Sequence, residues 1–241
     1  MRQLLTIIFL LGMTFAHAEP LKIGAIPFYP PFEIQGDKEG QLSGFDIDLI
    51  MAICKEIDQE CMIQPTVFKD IIPKLLTNEI NLAASAIIIT KEREQFMLFS
   101  LPYLASYLQF MTLKSNPLQD LTELKGKIVA TITGSVISDY LHDRYGKTIT
   151  VKEYQQFPDM LDGLMNKQVD LVLIDYYAAQ YWIVASGNQL KFVGEKLPFG
   201  TGYGFAAPKG NEALISQINK GLVTLEYNGE YLKIYNKYFG E

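Results

Sequence analysis

Ser85-Ala86-Ile87-Ile88-Ile89-Thr90-Lys91-Glu92-Arg93 is the stretch around which the rest of the chain is organised. Leu82-Ala83-Ala84 just before it and Ile87-Ile88-Ile89 within it form an apolar run suited to a strand buried on both faces. Thr90 follows as the expected N-cap of a helix, and Glu92 in the first turn complements the helix dipole. Free backbone N–H groups at such a start make an anion site. Arg93 adds a planar fork that matches a carboxylate. The expectation is a docking point for a small carboxylate; a surface arginine in a helix cap is the competing reading.

The N-terminus carries Arg2, an apolar run from Leu4 to Phe15, and the small-residue site Ala16-His17-Ala18. This pattern is that of a secretory leader over residues 1–18, so the mature chain is expected to begin at Glu19. The run is too short for a membrane span, and no Cys follows it to take a lipid anchor. What remains is roughly 220 residues, enough for one large or two small domains. A hydrophobic fraction of 49% argues for a folded globule. A formal net charge of -6 argues against nucleic acid as partner.

Cys54 and Cys61 are the only cysteines. In an exported chain an isolated pair closing a short loop suggests a disulfide. No other Cys and no His lies near them, which argues against metal. After the leader, His142 is the one remaining histidine, on an expected exposed helix face. That excludes a multi-His metal site and weakens any Ser-His-Asp proposal. No metal and no cofactor is expected.

Along the chain, Leu21–Ile26 reads as a first strand. Pro27-Phe28-Tyr29-Pro30-Pro31-Phe32 is a stiff loop presenting aromatics, of which one is expected in the core and one toward a ligand. Phe45–Ile57 has a helical apolar face of Leu49, Ile50, Ile53 and Ile57. Met62–Phe68 is a strand candidate, followed by a short helix over Ile71–Leu76 with Pro73 in its first turn. Leu98–Phe110 is extended and is expected to cross to a second domain. Ile128–Ile132, then Thr133-Gly134-Ser135, then a helix from Val136 to Tyr145 repeat the strand–turn–helix device. Pro158–Lys167 is helical and Val169–Ile174 a buried strand. Asp175 ends that strand, where open α/β sheets bind ligands, and it is also placed to cap the next helix. Lys191–Val193 is a further strand, Pro198–Phe205 the glycine-rich return crossing, and Asn211–Tyr227 and Gly229–Phe239 two helices. Alternating strands and helices with two crossings imply two α/β domains joined by a hinge, with a cleft between them.

With these residues assembled, the mature chain resembles the periplasmic solute-binding proteins of polar amino-acid ABC importers, extracellular solute-binding family 3. Gly44-Phe45-Asp46-Ile47-Asp48-Leu49-Ile50-Met51-Ala52-Ile53-Cys54 is similar to the family signature. The Cys54/Cys61 spacing looks like that of lysine/arginine/ornithine, histidine and arginine binders, and Ile234-Tyr235-Asn236-Lys237-Tyr238-Phe239 is similar to the tail of arginine binders. The resemblance implies the two-lobed α/β periplasmic-binding-protein fold, type II. One lobe would comprise residues 19–108 and 200–241, the other residues 109–199. It implies that Arg93 grips the ligand α-carboxylate, that Ser135 beside Gly134 donates to the same group, and that Asp175 takes the α-ammonium. Ser85 and Ala86 fall where the family uses hydroxyl and backbone contacts, and Tyr29 and Phe68 where aromatics sandwich the ligand side chain. Ile26 stands where basic-residue binders place an acid, and Ile88 where many have Ser or Thr. The implied function is non-enzymatic binding of a free amino acid by a periplasmic monomer that serves a membrane permease. Arginine comes first and a neutral amino acid such as glutamine second. A cyclohexadienyl-dehydratase-like enzyme is the alternative from another class; it needs a cleft acid–base pair such as Glu33 with Asp175, which nothing in the spacing singles out.

Overall fold

The computed structural model describes residues 19–36 and 41–240; the expected leader lies outside the described residues. The chain opens with β1 (Leu21–Ala25), a small pair β2 (Ile34–Gln35) and β3 (Leu42–Ser43), α1 (Phe45–Glu56), β4 (Cys61–Pro65), α2 (Phe68–Leu76), β5 (Leu82–Ala83) and β6 (Met97–Phe99). It continues through β7 (Tyr107–Leu113), β8 (Ile128–Ile132), α3 (Val136–Tyr145), β9 (Thr150–Tyr154), α4 (Phe157–Met165), β10 (Leu171–Asp175), α5 (Tyr176–Ala185) and β11 (Leu190–Pro198). It ends with β12 (Ala206–Pro208), α6 (Glu212–Tyr227) and α7 (Glu230–Phe239).

Two five-stranded sheets result, in the orders β4-β1-β5-β12-β6 and β11-β7-β10-β8-β9. Their inner strands are largely buried and mostly apolar, as sheets covered by helices require, with Gln109, Thr112 and Thr131 the buried polar exceptions in β7 and β8. Leu171–Asp175 is buried at every position, and Leu82 and Ala83 likewise. The chain crosses between the sheets twice, and the crossings pair with each other. Tyr103 N donates to Tyr203 O (2.9 Å) and Tyr203 N to Leu104 O (2.8 Å). Such a two-stranded strap bends without losing its own hydrogen bonds, which suits a hinge. Gly202 in the return crossing has φ 135°, and a Cβ there would lie 2.8 Å from Leu104 O. Only glycine lets the strap close that tightly.

α1 begins where the signature-like segment predicts. Its N-cap is Gly44, with φ 120°, and a Cβ there would sit 2.2 Å from Phe32 O. The glycine therefore lets the aromatic loop lie directly on the helix start. α2 differs from expectation. Phe68 opens this helix instead of ending a strand, and Pro73 lies inside it, not in its first turn. Phe68, Ile71, Ile72 and Leu75 share one helical face, and burying that face outweighs the single hydrogen bond that Pro73 removes.

Cys54 on α1 and Cys61 at the start of β4 form a disulfide, with Cα atoms 6.2 Å apart. Closing so short a loop restrains the unfolded chain only modestly. Replacing both cysteines by Ala is expected to lower unfolding free energy by ~2–3 kcal/mol. Urea titration of the two proteins checks this; equal midpoints and slopes would show that the bridge contributes nothing.

Candidate functional site

A cavity of about 60 Å³ lies between the two sheets. By the volume a water needs, that is room for several solute heavy atoms. Arg93 and Asp175 line it from opposite sides, and they are the only Asp, Glu, Lys, Arg or His among its lining residues. Tyr29, Phe68, Ser85, Ala86, Ile88, Ile26 and Ser135 line it too. Of the ligand-site residues expected from the sequence, Gly134 alone does not line it, and Glu33, the acid weighed as a partner for Asp175 in catalysis, does not line it either. Gly134 sits instead where a Cβ would come 3.3 Å from Lys69 Cα, at the closed edge of the cleft. Phe28 and Tyr29 face the cavity, while Phe32 is wholly core.

Arg93 is 4% exposed, and its Nη1 donates to Ile88 O at 3.1 Å. No carboxylate lies within ion-pair distance of it among the described residues. Burial lowers its pKa to about 10, against the favourable charges of Asp139 and Asp175. A buried guanidinium with one backbone acceptor has donors to spare for an anion. The helix expected after Thr90 is only a single 3-10 turn, Arg93–Gln95. Thr90 Oγ1 does accept from Arg93 N (3.3 Å), but β6 begins at Met97 to pair with β12, so the chain cannot continue as a helix. The anion site here is therefore the guanidinium itself, without a helix dipole behind it.

The helix dipole operates on the other side. Ser135 caps α3, a ten-residue helix, accepting from Ser138 N at 3.2 Å. Its hydroxyl proton goes to Ile132 O at 2.7 Å, so what α3 turns toward the cavity is its positive end. Ser85 Oγ accepts from Ile26 N (2.8 Å), and Ala86 N donates to Asp46 Oδ2 (2.6 Å). Ala86 has φ 44°, a strained value for a residue with a Cβ, and that turn aims its N–H at Asp46.

Asp175 is 5% exposed at the end of β10, and its side chain does not cap α5. Its carboxylate accepts instead from Tyr29 OH on Oδ2 (2.6 Å) and Tyr203 OH on Oδ1 (2.7 Å). Tyr29 follows β1 in the other sheet and Tyr203 lies in the return crossing, so Asp175 ties its own sheet to both. Burial pushes its pKa up, opposed by those two hydrogen bonds and by the charge of Arg93. The phenols themselves stay protonated, pushed well above their usual range by burial and by Asp175. Tyr29 also meets Phe157 edge-on at 5.0 Å, and Phe28 meets Trp182 at 6.2 Å. Sequence reasoning missed Tyr203, Phe157, Val136 and Ile137. For Tyr203 the available signal was an aromatic between two glycines in a chain crossing.

Two further acids lie behind the cavity wall. Glu33 is fully buried, and among the described residues neither carboxyl oxygen meets a partner at full hydrogen-bond geometry. Burial and the nearby Asp46 push its pKa well up, against a smaller opposing effect of the Ser85 hydroxyl. Asp46 is also fully buried, its pKa raised to about 7 by desolvation, against hydrogen bonds from Ala86 N and Tyr103 OH. A carboxyl whose pKa is higher folded than unfolded binds its proton more tightly in the native state. Its contribution to stability is therefore greatest at low pH and is lost as pH rises from about 4 to about 7 for Asp46. Glu33, whose pKa is shifted in the same direction, adds to the decline. The urea midpoint is expected to fall between pH 5 and pH 8, by ~2–4 kcal/mol in unfolding free energy. A midpoint that rises over that interval would contradict the assignment.

Residues 21–241 match the bacterial extracellular solute-binding proteins, family 3. The arginine-binding periplasmic protein of Mannheimia haemolytica is 33% identical over 99% of this chain and 98% of that protein. The crystal structure of an arginine transport-system periplasmic binding protein from Legionella pneumophila is similar over 91% of this chain and 99% of that one, with 35% identity and a TM-score of 0.85. An ancestral arginine-binding protein bound to arginine is similar over 92% of this chain and 98% of that one, with 33% identity and a TM-score of 0.85.

Proposed function

The chain belongs to the bacterial extracellular solute-binding proteins, family 3, and we propose that it is the substrate-binding component of an amino-acid ABC importer. It holds one free L-amino acid between its lobes, in the type II periplasmic-binding arrangement. Arg93 and the start of α3 receive the α-carboxylate, and Asp175 receives the α-ammonium. The single observation that carries this reading is a buried guanidinium and a buried carboxylate lining one interlobe cavity. A zwitterion has one charge for each. The periplasmic names of the relatives support export to the periplasm. From there the closed, liganded monomer hands its solute to a membrane permease. The hinge lies at the two paired crossings, and residues 19–108 with 200–241 move against residues 109–199. The protein binds without catalysis.

Arginine in the names of the relatives supports a basic amino acid as the first ligand to try. One observation favours a neutral one: the cavity lining holds no carboxylate beyond Asp175. Ligand binding to the native state raises stability by RT ln(1 + [L]/Kd), about 2.7 kcal/mol at a hundredfold excess over Kd. Thermal unfolding with the common L-amino acids is therefore expected to show at least one clear upward shift. That shift should vanish with the N-acetyl and the amide derivatives of the same amino acid. Equal shifts with the derivatives would refute the zwitterion clamp.

A further inference from the structure

We infer that the amino acid taken by this cleft has an uncharged side chain. The inference rests on reading the cleft as a site for free amino acids, and it adds the class of side chain. The cavity is lined by one cation and one anion, Arg93 and Asp175. The two ends of a zwitterion use both. Any third ligand charge must face the remaining wall, and that wall is apolar on both lobes. Ile26, Phe68 and Ile88 form it on one side, Val136, Ile137 and Phe157 on the other.

Two of the polar groups near this wall are already engaged. Thr131 Oγ1 donates to Leu173 O at 3.1 Å, and Ala86 N donates to Asp46. Gln155 and Gln156 are exposed side chains at the rim, where amides offer no charge to a cation. Glu33 and Asp46 do not line the cavity, and Asp46 is already held by Ala86 N and Tyr103 OH. A guanidinium or ammonium side chain would therefore enter a desolvated space with no acid to meet it. Desolvating a charge without a partner is strongly unfavourable, and facing aromatic rings recovers only part of the loss. An uncharged side chain has no such penalty and gains from apolar contact.

Titration calorimetry of the protein with each common L-amino acid tests this. At least one uncharged amino acid is expected to bind, with arginine, lysine and glutamate each at least ~10-fold weaker than it. Any of those three binding within tenfold of the best uncharged amino acid, or more tightly, overturns the inference and leaves the amino-acid reading intact. If no free L-amino acid binds at all, the amino-acid reading falls and this inference falls with it.

Discussion

Arg93→Ala protein is expected to bind its amino acid weakly and yet fold at least as well as the parent. The guanidinium is buried, gives one hydrogen bond to Ile88 O, and has no carboxylate partner among the described residues. Its burial therefore costs free energy that the free protein recovers only in part. In the proposed clamp, the ligand α-carboxylate is the group that offsets that cost. Removing the arginine leaves the ligand carboxylate desolvated against Ile88 and the start of α3. Truncating one partner of a buried charge pair costs ~2–5 kcal/mol, or roughly 30-fold to several thousandfold in Kd. The melting temperature of the ligand-free variant should hold or rise. Calorimetry and thermal unfolding of the same preparation give both numbers. A large drop in melting temperature with unchanged affinity would make Arg93 a structural residue instead.

Asp175→Asn is the second large effect, and its pattern differs. An amide keeps an acceptor for one phenol, so part of the link to Tyr29 and Tyr203 survives. What disappears is the negative charge that the proposed clamp sets against the ammonium. A loss of ~2–5 kcal/mol is expected for the amino acid. For its deamino analogue, which has no ammonium to pair, Asp175→Asn should change little. The difference between the two losses isolates the ammonium–carboxylate term, as a double-mutant cycle does. Equal losses for both ligands would mean that Asp175 acts only by tying the lobes together.

The parts of this molecule that were legible in the chain are those whose cause is local. The apolar faces of α1 and α6, and the Gly134-Ser135 turn into α3, are set by residues a few positions apart. Asp175 was readable because the end of a buried strand is a general place for a site. Local rules failed where a distant partner decides. Thr90 and Glu92 carry the marks of a helix start, but pairing of β6 with β12 ends the turn after Gln95. Pro73 reads as a first-turn residue, but packing of Phe68 and Ile71 starts α2 earlier. The phenol of Tyr203 reaches Asp175 from the return crossing, and Asp46 reaches Ala86 N across forty residues. Nothing in the spacing of those pairs announces their contact.

The most direct test of the central claim is a crystal structure of the protein with the tightest-binding amino acid from the calorimetric panel. The clamp predicts the ligand carboxylate within hydrogen-bonding distance of the Arg93 guanidinium and its ammonium on Asp175, with the side chain against Ile26, Phe68 and Phe157. A ligand that fills the cleft while touching neither Arg93 nor Asp175 would contradict it.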